Sequence, residues 1–211
     1  MKLFDVTIVA VLVLLGVGFY VLRSPGRKGV QPVMDAANEA SRSNAETPVK
    51  PNVAYFAGGC FWGIEDRFQQ VPGVISAVSG YMGGNSGDPT YQEVCSGASG
   101  HAETVRVTFD PQRSSFRTLL NWFFKFHDPT QLNRQGPDRG TQYRSAIFAA
   151  NDGQLSESKA FIAELSKDNR FSGREIVTQV APAGRFYEAE EYHQDYHAKH
   201  GGSCALPDFS D

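Results

Sequence analysis

The sequence predicts an α+β protein in which helices pack on an antiparallel sheet as a two-layer sandwich. Two observations carry this prediction. Apolar residues recur with a period of two in some segments and of about 3.6 in others, as expected for strands and helices. Along the chain these segments follow the order strand, helix, strand, strand, helix, strand, which is the ferredoxin-like split βαβ arrangement.

The first three elements lie between residues 53 and 82. "VAYFA" at 53–57 is a short apolar run typical of a strand. Phe61, Ile64 and Phe68 share one helical face, and the helix should end near Pro72-Gly73. "VISAVSGYM" at 74–82 is a second strand, and the glycine-rich loop "GGNSGDPTY" follows it.

The next three elements complete the unit. "ETVRVTFD" at 103–110 alternates as a half-buried strand does. Ser114 or Ser115 can cap the following helix, whose apolar stripe is Phe116, Leu119, Leu120, Phe123, Phe124 and His127. "RSAIFAA" at 144–150 is the fourth strand. We expect added elements after it: a helix at about 154–167, a strand in "REIVTQVAPA", a closing helix in "YEAEEYHQDYHAKH" and an irregular tail.

The composition excludes several classes of protein. A net charge of -3 over 211 residues does not suggest a nucleic-acid partner. Cys60, Cys95 and Cys204 are too few for a disulfide framework and form no CxxC pair, which leaves redox or nucleophilic chemistry open.

The N-terminus predicts a membrane anchor at 1–22. Residues 6–22 form an apolar run whose only polar members are Thr7 and Tyr20, about the minimum length of a membrane-spanning helix. No A-x-A cleavage signal follows, which favours an uncleaved single-pass anchor over a signal peptide. A buried core helix is the alternative.

A polar linker at 23–52 is predicted to be disordered, and the catalytic domain should occupy 53–211. Positive residues after the anchor outnumber Lys2, which favours a cytoplasmic domain by a small margin. The side of the membrane therefore stays open between the cytoplasmic face and the periplasm or another extracytoplasmic space.

Cys60 is the candidate nucleophile. It follows Gly58 and Gly59 in "YFAGGCFWGIEDRF", where the chain turns from strand to helix. A helix N-terminus stabilises the reactive thiolate and lowers the thiol pKa. The alternative is a buried cysteine that acts as a small hydrophobe, and position alone does not decide between them.

Glu103 is the candidate acid. It lies at the head of the third strand, which can meet the N-terminus of the first helix, and apolar neighbours would raise its pKa so that it can donate a proton. A solvated strand-end charge is the alternative. Phe61 and Trp62 are adjacent on a helix and cannot share one face, so one can line a pocket. The loops "DPTYQE" and "DRGTQYRS" add three polar candidates that could equally well pack: Tyr91, Asp138 and Tyr143.

Four ordered motifs carry a resemblance to a known family. They are "GCFWG" at 59–63, "PTYQEVCSG…GHAE" at 89–103, "HDPTQLNRQGPDRGTQYRSAI" at 127–147 and "FYEAEEYHQDY" at 186–196. Together they resemble peptide methionine sulfoxide reductase of the A class, over essentially all of 53–196.

The resemblance implies roles for the polar candidates. Cys60 attacks the sulfur of methionine S-sulfoxide, which releases methionine and leaves a sulfenic acid on Cys60. Glu103 protonates the sulfoxide oxygen, Tyr91 and Tyr143 hydrogen-bond it, and Asp138 supports this polar side. The sulfoxide oxygen needs a proton donor because it must finally leave as water.

The resemblance also implies a substrate pocket and a second thiol. Phe61 and Trp62 bind the substrate methyl group, and Cys204 resolves the sulfenic acid as a disulfide. Many members have two tail cysteines, whereas this chain has one after Tyr196. Cys95 is interpreted as a packing thiol.

Partners follow from the same resemblance. No metal or other cofactor is expected, and thioredoxin or another dithiol is the reductant. Substrates are oxidised proteins and peptides and free methionine sulfoxide, so the function is protein repair under oxidative stress. The enzyme is expected to be a monomer that binds no nucleic acid.

Three other functional hypotheses compete with a methionine sulfoxide reductase. His193 and His197 lie at i, i+4 of the predicted closing helix and, with Cys204, could bind zinc. A papain-like hydrolase would use His101 or His193 as the base for Cys60. A non-catalytic module that binds oxidised peptides would not need Cys204.

Overall fold

A six-stranded sheet forms the centre of the fold in the computed structural model, which describes residues 52–171 and 173–202. The strands are β1 (Asn52–Gly58), β2 (Val74–Met82), β3 (Ala102–Phe109), β4 (Arg134–Gln135), β5 (Asp138–Arg139), β6 (Ser145–Ala149), β7 (Gln179–Pro182) and β8 (Tyr187–Glu188). The α-helices are α1 (Phe61–Gln69), α2 (Tyr91–Cys95), α3 (Phe116–Phe126), α4 (Asp152–Leu165) and α5 (Tyr196–His200).

The strand order is β7-β6-β1-β3-β2-β8, while β4 and β5 form a separate two-stranded ribbon. β3 lies between β1 and β2 and runs antiparallel to both, so β1, α1 and β2 make a split βαβ unit. β6 pairs antiparallel with the other side of β1, and β7 adds a parallel edge. The predicted ferredoxin-like α+β sandwich is confirmed.

An aromatic core fills the space between the sheet and helices α1 and α3. Phe56 of β1 stacks on Phe68 of α1, with ring centroids 5.0 Å apart, and lies 5.0 Å from the ring of Phe123 on α3. The Ser115 side chain caps α3 by accepting the N–H of Thr118. The contact between Phe56 and Phe68 holds α1 against β1, and the candidate nucleophile lies in the turn between these two elements.

The predicted closing helix at 187–200 is wrong. The chain there forms β8, a 3₁₀ turn at Glu191–His193 and the short helix α5. Asp195 adopts a left-handed conformation with φ of 53°, which interrupts a continuous helix. His193 and His197 consequently do not share one helical face.

Two further elements differ from the prediction. The strand predicted in "REIVTQVAPA" is confined to β7. The glycine-rich loop ends in α2, which the sequence analysis missed although Thr90 and Glu93 form a capping box at its start. Tyr91 is therefore the first residue of a helix and not part of an irregular loop.

Three predictions lie outside the described residues: the anchor at 1–22, the linker up to residue 51 and the resolving Cys204. Asn52, the last predicted linker residue, begins β1. Within 52–171 and 173–202, no helix is both long and apolar enough to cross a membrane.

Candidate active site

Cys60 is the residue that precedes α1, and its side chain is partly exposed. Gly59 has φ of 110°, a conformation that residues with a side chain rarely adopt. A Cβ atom on Gly58 would lie 2.9 Å from Cε2 of Phe123. Both glycines are thus required for the turn that places the thiol at the positive end of the helix dipole.

Glu103 meets the start of α1, as the sequence predicted. Its side chain is 2% exposed, and one carboxylate oxygen accepts the backbone N–H of Phe61 at 3.0 Å. The contact joins residues that are 42 positions apart and depends on β3 lying beside β1 in the sheet. A carboxyl group therefore lies at the first turn of the helix that begins after Cys60.

Tyr143 lies close enough to Glu103, Asp138 and Cys60 for their charges to affect its pKa. Burial raises the pKa of Tyr143 above its ordinary value, and the negative charges of Glu103, Cys95, Asp138 and Cys60 raise it further. The phenol consequently keeps its proton at neutral pH and can donate a hydrogen bond.

Tyr91 belongs to the same polar cluster. Burial has the largest effect on the pKa of Tyr91 and raises it. The hydrogen bond with the Cys95 thiol and the nearby charges of Cys95 and Glu103 raise this pKa further. Two protonated hydroxyl groups, from α2 and from the 3₁₀ turn at Thr141–Tyr143, therefore lie close enough to Glu103 for its charge to affect their pKa values.

Asp138 lies in β5 of the two-stranded ribbon, and burial raises the pKa of its carboxyl group. The loop that carries Asp138 and Tyr143 is joined to α2 because the Gln142 side chain donates to the backbone oxygen of Cys95 at 3.2 Å. Asp138, Tyr143 and α2 are therefore held in one region.

Phe61 and Trp62 diverge from one another at the start of α1. Phe61 is 1% exposed and lies 5.8 Å from the ring of Tyr81, whereas Trp62 is half-buried. The indole of Trp62 stacks on Tyr196 with centroids 3.7 Å apart and planes 6° apart. It also donates its N–H to Nδ1 of His193 at 3.1 Å.

Sequence reasoning missed the part that residues 190–196 play in the site. Glu190 accepts the Tyr81 hydroxyl at 2.8 Å and the backbone N–H of Tyr91 at 3.0 Å. The signal was present in the motif "FYEAEEYHQDY", but the segment was interpreted as one helix, which gave no basis for assigning contacts to single side chains.

Cys95, which was predicted to be a packing thiol, lies beside one of the polar candidates of the site. It is partly exposed at the end of α2, beside the Tyr91 hydroxyl. Burial raises the pKa of the Cys95 thiol, partly opposed by the hydrogen bond from Tyr91.

His101 does not favour the hypothesis of a papain-like hydrolase, and the described residues do not favour a zinc site. Both ring nitrogens of His101 contact backbone groups, the N–H of Gly84 at 3.1 Å and the oxygen of Ser86 at 2.8 Å, so neither ring nitrogen is available as a base for Cys60. Nδ1 of His193 is occupied by Trp62. Among the residues that the structure describes, no group of three or more His, Cys, Asp or Glu side chains could hold a metal ion.

A thiol at a helix N-terminus, beside a buried carboxyl group and two protonated phenols, defines an enzyme of the thiol-dependent class. The model of the family described as peptide methionine sulfoxide reductase matches residues 52–207. The chain belongs to this family and is an oxidoreductase, and the A-class assignment made from the four motifs is confirmed.

Curated and solved relatives agree with this assignment. The peptide methionine sulfoxide reductase MsrA of Methanoculleus marisnigri is 54% identical over 149 residues, which cover 71% of this chain and 90% of the relative. The crystal structure of Mxr1 from Saccharomyces cerevisiae in reduced form has a TM-score of 0.70 at 36% identity, covering 76% of this chain and 92% of that chain. A structure of Mxr1 in complex with Trx2 has a TM-score of 0.50 at 27% identity, covering 74% and 91%.

Proposed function

We propose that the protein reduces the S epimer of methionine sulfoxide to methionine, in oxidised proteins and peptides and as the free amino acid. The observation that carries this proposal is the hydrogen bond from the Phe61 N–H to Glu103, because it supports an acidic side chain next to the start of α1, directly after Cys60. The family assignment supports the same reaction.

In the proposed chemical step, the Cys60 thiolate attacks the sulfoxide sulfur while Glu103 delivers a proton to the sulfoxide oxygen. The Tyr143 hydroxyl donates a hydrogen bond to that oxygen as negative charge develops on it, and the Tyr91 hydroxyl does the same after exchanging its bond to the Cys95 thiol for one to the substrate. The attack forms a bond between the Cys60 sulfur and the substrate sulfur. The protonated oxygen then moves to the Cys60 sulfur, so that the S–O and S–S bonds at the substrate sulfur both break, methionine leaves and the oxygen ends as the hydroxyl of a Cys60 sulfenic acid. The substrate sulfur gains two electrons and the cysteine sulfur loses two.

Stereoselectivity follows from the two unlike sides of the pocket. Trp62 is the accessible part of an apolar wall for the methyl group, with the buried Phe61 beside it, whereas Asp138 and the two tyrosines provide the polar side. A sulfoxide with the opposite configuration would direct either its methyl group or its oxygen to the wrong side.

Recycling requires a second thiol. Cys204, in "GGSCALP", attacks the Cys60 sulfenic acid, which forms a disulfide and releases water. A thioredoxin-like dithiol then reduces the disulfide and is itself oxidised. The complex of the related Mxr1 with Trx2 supports a reductant of this kind, and no resident cofactor takes part in the proposed cycle.

Membrane attachment is a separate part of the proposal. The apolar run at 6–22 supports a single-pass anchor that holds a monomeric domain at a membrane surface. Protein repair close to a membrane is the proposed role. Protease added to intact cells should digest the domain if it lies outside the membrane and leave it intact if it lies inside.

Turnover with racemic methionine sulfoxide tests the proposed reaction. With thioredoxin and its reductase, consumption of the racemate should stop near half conversion and leave the R epimer. Cys60→Ser should abolish the reduction of both epimers. Complete consumption of the racemate would contradict the pocket, and substantial reduction by the serine variant would contradict the nucleophile.

A further inference from the structure

His193 lies at the centre of the aromatic side of the site although the proposed chemistry gives it no task. It ends the 3₁₀ turn at Glu191–His193 and is 1% exposed. Its ring centroid lies 5.1 Å from that of Phe61, 5.6 Å from that of Trp62 and 4.4 Å from that of Tyr91. One imidazole therefore contacts both apolar side chains of the proposed methyl pocket, Phe61 and Trp62, and one hydroxyl donor, Tyr91.

The hydrogen bond to Trp62 fixes the proton position on this imidazole. An indole N–H can only donate, so Nδ1 of His193 must be the acceptor and carries no proton. In the neutral ring the proton is then on Nε2, which lies 3.9 Å from a carboxylate oxygen of Glu190. Burial lowers the pKa of His193, against an opposing effect of the Glu190 charge, and this favours the neutral ring.

Trp62 needs such a partner because its indole is only half-buried. Tyr196 covers one face of the indole and Nδ1 of His193 binds its edge. A stacking contact alone permits the indole to slide in its own plane, whereas a directional hydrogen bond at the ring edge also fixes its rotation.

We propose that His193 is a positioning residue for the methyl pocket, because its imidazole accepts the indole N–H and so fixes the Trp62 ring against which the substrate methyl group packs. This inference rests on the proposed function for the identity of the substrate, but the placement of Trp62 can be measured without turnover.

Two substitutions separate the acceptor from the ring. His193→Asn loses the aromatic ring but places an amide oxygen close to the position of Nδ1, whereas His193→Phe keeps a ring and loses the acceptor. If the acceptor matters, the phenylalanine variant should raise the half-saturating sulfoxide concentration by about 5–50-fold, since it leaves the indole N–H unpaired. Its maximal single-turnover rate should change less than about threefold, and the asparagine variant should stay close to wild type in both quantities.

Fluorescence gives a second readout. The chain has two tryptophans, so Trp122→Phe leaves Trp62 as the sole reporter. In that background His193→Phe should shift the emission of Trp62 to longer wavelength and lower its anisotropy, and His193→Asn should not. His127→Leu is the matched control, because His127 is also buried and bonded, through the Phe123 oxygen and the Ser145 hydroxyl. It should lower the melting temperature without moving the Trp62 emission.

The outcomes decide the proposal. An asparagine variant as impaired as the phenylalanine variant, or a phenylalanine variant with wild-type saturation and emission, would overturn it. If His193→Phe does not fold by circular dichroism, His193→Leu removes the acceptor with a smaller side chain and is judged by the same criteria. A wild-type protein without sulfoxide turnover would defeat the proposed function, while the fluorescence comparison would still test the placement of Trp62.

Discussion

At the scale of single residues, the hydrogen bond between Glu103 and the Phe61 N–H permits a clean substitution. Glu103→Gln keeps a carbonyl oxygen that can accept this N–H, so the start of α1 should be preserved. It removes the acid, and general acid catalysis typically contributes about 10²–10⁴-fold. Single-turnover reduction should slow by a factor in that range.

The control for this variant is the reactivity of Cys60 towards a thiol reagent, which should remain close to wild type if α1 is intact. A loss of less than about tenfold in the single-turnover rate would mean that water or a tyrosine supplies the proton.

Cys204 and Cys95 can be separated by a pair of serine variants. Cys204→Ser should still reduce one sulfoxide per enzyme, because the chemical step needs no thiol other than that of Cys60. The variant should then stall as a sulfenic acid that a dimedone-type probe labels. Thioredoxin-driven turnover should fall steeply, whereas a small dithiol should sustain it. Cys95→Ser should retain thioredoxin-driven turnover.

Peptide mapping after one turnover gives the direct check on the resolving cysteine. The expected bridge joins Cys60 and Cys204. Recovery of a Cys60–Cys95 bridge instead would transfer the resolving role to α2.

At the scale of elements, α1 is joined to Asp195 by a buried carboxyl group whose titration should make stability depend on pH. Glu65 is 2% exposed and accepts the Ser79 hydroxyl at 3.0 Å and the Asp195 N–H at 3.3 Å. Burial raises its pKa from 4.5 to about 7. Because the folded-state pKa exceeds the unfolded value, the folded state binds more protons, and this contribution to stability falls as pH rises from about 4.5 to 7.

Glu65→Gln tests this linkage, since an amide oxygen can accept the same two hydrogen bonds without titrating. Urea unfolding of the wild type should lose roughly 1–3 kcal/mol across this interval through Glu65, and the variant should lack that part of the slope. The exposed Glu175→Gln is the matched control and should keep it. Equal slopes for wild type and Glu65→Gln would contradict the linkage.

The elements also show what sequence patterns can and cannot predict. The stripe on α3 and the alternation in β3 report burial within a few neighbouring residues, so the structure follows the prediction there. Residues 187–200 follow contacts with distant partners: Trp62 bonds His193 across 131 positions, and the Gln194 amide pairs with the backbone of Ser79 across 115. Local periodicity contains no information about such partners, which is why a helix was predicted.

The same reasoning applies to the site. Cys60 could be recognised because its glycine-flanked turn is a local feature, and Glu103 because it lies at a strand end near that turn. The motif around Glu190 drew attention to this segment, but the contacts of Glu190 with Tyr81 and Tyr91 depend on the pairing of β8 with β2, which a local motif does not show.

At the scale of the whole molecule, the domain should be separable from the predicted anchor. Asn52 already pairs with Phe109, and the family match begins at residue 52. Deletion of residues 1–51 should therefore leave turnover of soluble peptide sulfoxides within about twofold and remove the protein from the membrane fraction. A truncated protein that still sediments with membranes, or that has lost turnover, would contradict this division.

The stack of Trp62 on Tyr196 has a kinetic consequence. Cys204 follows Tyr196 by eight residues, and eight extended residues reach at most about 28 Å. A chain attached so close to the pocket gives a thiol at its other end an effective concentration of the order of millimolar. If Cys204 is the resolving thiol, as proposed, it would compete favourably at that concentration with dilute peroxide for the sulfenic acid, and the short span between Tyr196 and Cys204 would protect Cys60 from irreversible overoxidation to sulfinic acid.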